Sequence, residues 1–325
     1  MPVFFRSTGT VQGPGFYLRR HGSLAMVRMP VTCAVLDRPG GLTLIDTGWS
    51  RRQCAWPGTD PGQVTRALLG LRVAPEDALA SQLISCGLVP EDVKHIIATH
   101  LHLDHISGAV DFPDATVHTT PEEWSCLRRG RLRGYTRDTA GLEPRVERHA
   151  LKGPAMLGFP ASHDLFGDGS VLLLDARGHT LGSVAVAVKL DEGWLLHAGD
   201  AVMFREDYND PALTAPSLYA RMNAHDVLRQ REGFGRFREA EATHAARVVP
   251  SHDPAVFEAL PKTREDGWKA HWDKKPPKAP PPQKGPRPER PPKQKGPRND
   301  PGGARNDPPG SNGAPERGTT SKDPQ

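Results

Sequence analysis

The chain has 325 residues and a formal net charge of +4, enough length for one large domain or two small ones. The charge is uneven: the 52 residues from Lys274 onward carry twelve Lys or Arg against five Asp or Glu, or +7, which leaves residues 1–273 at −3. A basic nucleic-acid-binding domain is therefore disfavoured, and no apolar run reaches the length of a transmembrane helix.

The N-terminus, MPVFFRSTGTVQGPGF, lacks a basic start followed by a sustained apolar stretch, so no signal peptide is expected, and Gly13 to Gly15 reads as a turn. Short runs rich in Val, Ile and Leu predict strands at Leu24–Leu36, Leu42–Asp46, Val93–Thr99 and Ala115–His118. Further strands are predicted at Val171–Asp175, Val184–Leu190, Trp194–Ala198 and Ala246–Pro250. Between them, Glu76–Cys86 and Pro121–Leu127 carry acids in their first turns and predict helices. Ala215–Ala242 predicts a long amphipathic helix with a break near Gly233 and Gly235. The strand-then-helix order repeats after about residue 165, which predicts an α/β fold of two half-units, an αβ/βα sandwich.

From Lys274 the composition turns to Pro, Lys, Arg and Gly with almost no apolar side chains, which cannot offset the entropy of ordering. We therefore expect a folded domain over 1–273 and a disordered tail over 274–325. The tail's charge permits weak contact with nucleic acid, whereas the acidic remainder argues against more. Cys33, Cys54, Cys86 and Cys126 form no regular framework, which suits reduced thiols and a cytoplasmic location.

The chemistry concentrates in Ile96–Gly108, IIATHLHLDHISG, where an apolar strand runs into His100, His102, Asp104 and His105. Three imidazoles and a carboxylate within six residues suit zinc or a similar borderline ion. In an extended segment His100 and His102 share a face, and the chain must turn to bring Asp104 and His105 to a second position. One ion cannot easily take all four, which favours two. Gly178-His179-Thr180, Gly199-Asp200 and Ser251-His252-Asp253 each also follow an apolar strand, where a rigid scaffold can hold functional loops. His197, within a strand, reads as a core imidazole, His95 as structural, and His163 as part of a loop or helix cap. There is no G-x-S-x-G elbow and no GxxxxGK[ST] loop.

The order HxHxDH, then a GHT histidine, then Gly-Asp, then a late histidine resembles the binuclear metallo-β-lactamase superfamily, from about Leu24 to Pro261, with Leu44-Ile45-Asp46-Thr47-Gly48 matching its early Asp-Thr-Gly turn. The resemblance implies two zinc or other divalent ions, one on His100, His102 and His179, the other on Asp104, His105 and His252, with Asp200 bridging. It implies that Asp46 steadies a ligand histidine, and that a hydroxide between the ions attacks the substrate while Asp104 or Asp200 handles the proton.

Within the superfamily, HDLFGDGSVLLLDARGHTLGS, His163–Ser183, resembles N-acyl homoserine lactonases and related hydrolases, implying a small ester or lactone as substrate. Those lactonases place a Tyr three residues after the bridging Asp. This chain has Met203 there and Phe204 next, both suited to an apolar pocket wall, and Tyr208 is the candidate replacement. The alternatives are a glyoxalase II-like thioesterase, a phosphotriesterase or nuclease of the same fold, and a metal-stabilised binding protein without catalysis. Cysteine-ligand β-lactamase chemistry is disfavoured by Asp200.

Overall fold

The computed structural model describes residues 1–56, 66–67, 70–128, 134–135, 142–209 and 217–266; the expected tail and its boundary at 273 lie outside these. Among the described residues, eleven strands form two sheets. The first, in spatial order, is β1 (Val3–Pro14), β2 (Met26–Arg38), β3 (Gly41–Ile45), β4 (Val93–Ile97), β5 (Thr116–Thr119) and β6 (Val146–Arg148). The second runs β11 (Ala246–Val249), β10 (Gly193–His197), β9 (Val184–Leu190), β8 (Val171–Asp175) and β7 (Ser162–Asp164).

Alternation along the strands builds four layers, because successive side chains point to opposite faces. On β8, Val171 and Leu173 enter the layer between the sheets with Phe5, Leu36, Ile45, Ile97 and Val186. Leu172 and Leu174 point the other way, onto Phe234, Phe237 and Ala240 of the helix Val227–His244. On the far side, Val35, Leu44 and Ile96 pack against Leu79 and Leu83 of the helix Leu79–Ser85 and Trp124 and Leu127 of Pro121–Arg128. Helix, sheet, sheet, helix is the sandwich expected from the order of elements.

Sheet connectivity puts functional loops on one edge. β3, β4, β5 and β6 pair in parallel, as do β10 and β11. Parallel neighbours need crossovers, so the loops leaving their C-terminal ends collect together, where open α/β sheets bind ligands.

Three expectations change. The N-terminal segment forms a twelve-residue strand, β1, whose end holds Gly13 and Pro14, while Gly15 opens a short helix. The long helix breaks earlier than Gly233: Leu218–Asn223 ends, and Val227–His244 starts with the Asp226 side chain accepting from Arg229 N at 3.0 Å. His163 is not in a loop or cap but on β7, paired with Leu173 of β8.

Candidate metal centre

Each residue of the cluster sits just past a strand end. Asp46 follows β3, His100 to His105 follow β4, His179 follows β8, Asp200 follows β10 and His252 follows β11. Turn chemistry holds these loops in place. Gly48 has φ +63°, and a Cβ there would lie 1.8 Å from Thr8 Oγ1; Gly178 has φ +148°, and its Cβ would lie 2.5 Å from Gln230 N. Only glycine tolerates both the conformation and the contact.

The seven sequence-predicted side chains converge as two groups. Ligating atoms of His100, His102, His179 and Asp200 lie within 4.8 Å of one another, as do those of Asp104, His105 and His252. Asp200 joins them. Its Oδ1 lies 3.2 Å from His105 Nε2 and 3.1 Å from His252 Nε2, while its Oδ2 lies 3.4 Å from His179 Nε2 and 3.9 Å from His100 Nε2. One carboxylate thus offers one oxygen to each group. Ser251 Oγ donates to Oδ1 at 2.6 Å, and Gln230 Nε2 donates to the Asp200 carbonyl at 3.0 Å, so its rotamer and backbone are both held.

The rings are oriented from behind. Asp46, fully buried with φ +58°, accepts from Thr99 N and Thr99 Oγ1 and meets His105 Nδ1, each at 2.8 Å. A left-handed non-glycine residue in a buried turn stores strain that the surroundings must sustain. His252 Nδ1 donates to the Pro30 carbonyl at 2.8 Å, which leaves Nε2 toward Asp200. These contacts fix which ring nitrogen faces the centre.

Electrostatics agree with a cation site. Burial, followed by the neighbouring imidazoles, holds His100 and His102 well below the ordinary histidine range, in the neutral ligating form. At His105, burial is outweighed by Asp200, Asp46 and Asp104, which hold the ring well above its usual value. Against burial, His252 and His105 keep the Asp200 carboxylate well below the usual range. His100 Nε2 is buried with no hydrogen-bond partner among the described residues, an arrangement that costs free energy unless an ion takes the lone pair. Imidazoles and carboxylates in this donor set fit zinc-class divalent ions.

Sequence reasoning missed two supports. Glu123, read only as a first-turn acid, is buried and accepts from Leu101 N, Gly182 N and Tyr135 Oη at 3.0, 3.0 and 2.8 Å. It ties the histidine loop to the His179 turn. Tyr219, on the helix Leu218–Asn223, lines the cavity over the centre with Trp49, Met203, Asp104 and Asp200. Tyr208 does not reach the centre: it is buried beside Phe237 and donates to Glu241 Oε1 at 2.9 Å. Met203 does form part of the cavity wall, whereas Phe204 is buried beneath it, under the Arg19 guanidinium. His197 is fully buried in its strand, with burial pushing its pKa down to about 4, as a core imidazole should be.

Comparison with known proteins agrees with this geometry. A probable metallo-hydrolase of Mycobacterium tuberculosis is 31% identical over 252 residues, covering 73% of this chain and 79% of its own. The N-acyl homoserine lactonase AttM of Rhizobium radiobacter is 26% identical over 250 residues, covering 75% and 89%. A solved N-acyl homoserine lactone hydrolase, with N-hexanoyl-L-homoserine at its catalytic metal centre, shares the fold at a TM-score of 0.63 and 18% identity, over 81% of this chain and 98% of that one. The family model described as the metallo-beta-lactamase superfamily matches residues 26–252, from the start of β2 to the last histidine of the cluster. Fold, clustered side chains and family match coincide, and the chain belongs to the metallo-beta-lactamase superfamily of metallo-hydrolases.

Proposed function

We propose that the chain is a two-metal hydrolase of small esters or lactones, with zinc as the natural ion. The observation that carries this reading is the Asp200 carboxylate, one oxygen toward each histidine group, at the floor of a cavity of about 210 Å³. His100, His102 and His179 would hold one ion, Asp104, His105 and His252 the other, with Asp200 shared. Bound there, divalent ions supply Lewis-acid polarisation and lower the pKa of water.

The chain's own residues then divide the remaining tasks. Val11, Leu18, Met29 and Met203 give the cavity an apolar side suited to an acyl or alkyl group. Burial, then the Asp200 and Asp104 carboxylates, push the Tyr219 hydroxyl well above its ordinary range, so it stays protonated and donates to a carbonyl oxygen. Tyr219 would thereby supply the hydroxyl that lactonases carry three residues after the bridging Asp, from a different element. Asp104, whose side chain is 24% exposed at the cavity floor, is placed to take a proton from the attacking water and deliver it to the leaving alkoxide.

Steady-state hydrolysis of N-hexanoyl homoserine lactone, an aryl acetate, S-lactoylglutathione and a phosphotriester by the zinc-loaded chain tests this. The reading expects the first two to be preferred at least tenfold in kcat/KM. Preference for the thioester or phosphotriester would replace it, and zinc-independent turnover would remove it.

A further inference from the structure

A second group of histidines lies away from this centre. On β4 and β5, His95 and His118 share a face with Ile97, which packs between the sheets; Glu147 of β6 sits opposite His118, and His149 is two residues further on. His163 of β7 pairs with Leu173, another inward-facing position. Four histidines, separated by 23, 31 and 14 residues along the chain, thus close one margin of the inter-sheet layer where the pattern would otherwise call for apolar side chains. Phe166 packs on His95 at 5.0 Å between ring centroids, and His149 on His163 at 4.7 Å.

We propose that His118, Glu147 and His149 form a further metal site, independent of the catalytic pair, for a single divalent ion of the zinc class. His118 Nδ1 and His149 Nε2 lie 2.9 Å apart, and Glu147 Oε2 lies 3.6 Å and 3.8 Å from them. Tetrahedral zinc with bonds near 2.1 Å sets ligand atoms about 3.4 Å apart, so the three edges bracket the required triangle. The carboxylate is the discriminating member. It stands beyond hydrogen-bond reach of both nitrogens yet at ligand-to-ligand spacing from each.

The second ring nitrogen of His118 is also provided for. Its Nε2 lies 3.0 Å from His95 Nδ1, so it donates there and leaves Nδ1 with a lone pair, the outer hydrogen bond that ligating histidines generally make. Burial, then His149 and His95, push the His118 pKa down to about 3, which keeps the ring neutral. When an ion binds, the proton on His149 Nε2 moves to Nδ1 and both rings remain neutral. Glu147, its side chain 61% exposed, leaves the fourth position to water.

Zinc saturation of the untagged full chain, followed by gel filtration and metal analysis, tests the site against Glu147→Ala and His149→Leu. The wild type should retain one zinc more than either variant, and its affinity for that zinc should exceed theirs at least about tenfold. Turnover should be unchanged in Glu147→Ala, which alters only an exposed side chain outside the two groups proposed for catalysis. Because the readout is a difference of one ion, it stands whatever the catalytic centre itself retains. Equal zinc content in the wild type and Glu147→Ala would overturn the proposal, even if His149→Leu failed to fold.

Discussion

Replacing Asp46 by asparagine separates charge from shape at the support of His105. The backbone should tolerate it, since φ +58° is a region that asparagine adopts readily. Asparagine Oδ1 can still accept from Thr99 N, but an NH2 group then takes the place of Oδ2, which now meets Thr99 Oγ1 and His105 Nδ1 at 2.8 Å. Thr99 can accept from it; His105 cannot while its proton is on Nδ1. Either two donors face each other in a buried turn, or the proton moves to Nε2 and blocks the atom that faces Asp200 at 3.2 Å. Leaving one buried donor unsatisfied costs about 1–3 kcal/mol, which corresponds to roughly 5- to 150-fold in affinity. Asp46→Asn should therefore lose about 10- to 100-fold in zinc affinity at the group containing His105, while the group containing His179 changes little. A chelator-competition titration resolving two zinc equivalents reads this directly, with circular dichroism confirming the fold. Two unchanged dissociation constants, or an equal loss at both, would refute the reasoning.

Tyr219→Phe should lower kcat for the preferred ester or lactone by roughly 10²-fold with KM nearly unchanged, the pattern of a donor acting mainly in the transition state; a fall confined to KM would make the hydroxyl a binding group only. Gly178→Ala should destabilise the fold by about 2–4 kcal/mol in urea unfolding, because a Cβ 2.5 Å from Gln230 N forces the helix start away. It should weaken metal retention too, since Gln230 holds the Asp200 carbonyl. Asp207, whose carboxylate accepts from Met203 N and Phe204 N, is pushed by burial from 3.8 up to about 7. Its folded state binds the proton more tightly than the unfolded chain, so its contribution is complete below pH 4 and is lost as pH rises through 7. Asp207→Asn escapes this loss. Its stability relative to the wild type should rise by up to roughly 4 kcal/mol between pH 4 and pH 8, and a flat difference across that range would show that the carboxyl is not held protonated.

The seven clustered residues are legible in sequence because each is a His or Asp placed directly after an apolar strand, and short loops after strands have little freedom to lead elsewhere. The four-layer order is legible for a similar reason: runs such as Val171–Asp175 and Val184–Leu190 are apolar on both faces, so something must cover each side. Other features depend on tertiary pairing. In β1, Arg6, Ser7, Thr8 and Gly9 interrupt the apolar run, and the strand is held by register with β2, across a shift between Ser7 and Thr10. Glu123 looks like any first-turn acid until the fold supplies Leu101 N and Gly182 N as donors. Tyr219 sits on a helix whose polar and apolar sides cannot be told apart without knowing that the cavity lies beneath it. The histidines at 95, 118, 149 and 163 carry no signal singly, and only parallel register sets His118 between Ile97 of β4 and Glu147 of β6, within reach of His95 and His149.

The centre draws His100, His102, Asp104 and His105 from the first sheet's loops, and His179, Asp200 and His252 from the second's. Neither half alone carries a complete set for the proposed pair of ions. Ion affinity and docking of the two sheets are therefore thermodynamically linked, each strengthening the other. A core truncation such as Val186→Ala, at the inner face and not itself a ligand, should therefore lower metal affinity, and a chelator should destabilise the fold. Metal supply to such a chain would then set how much of it is folded as well as how much of it is active.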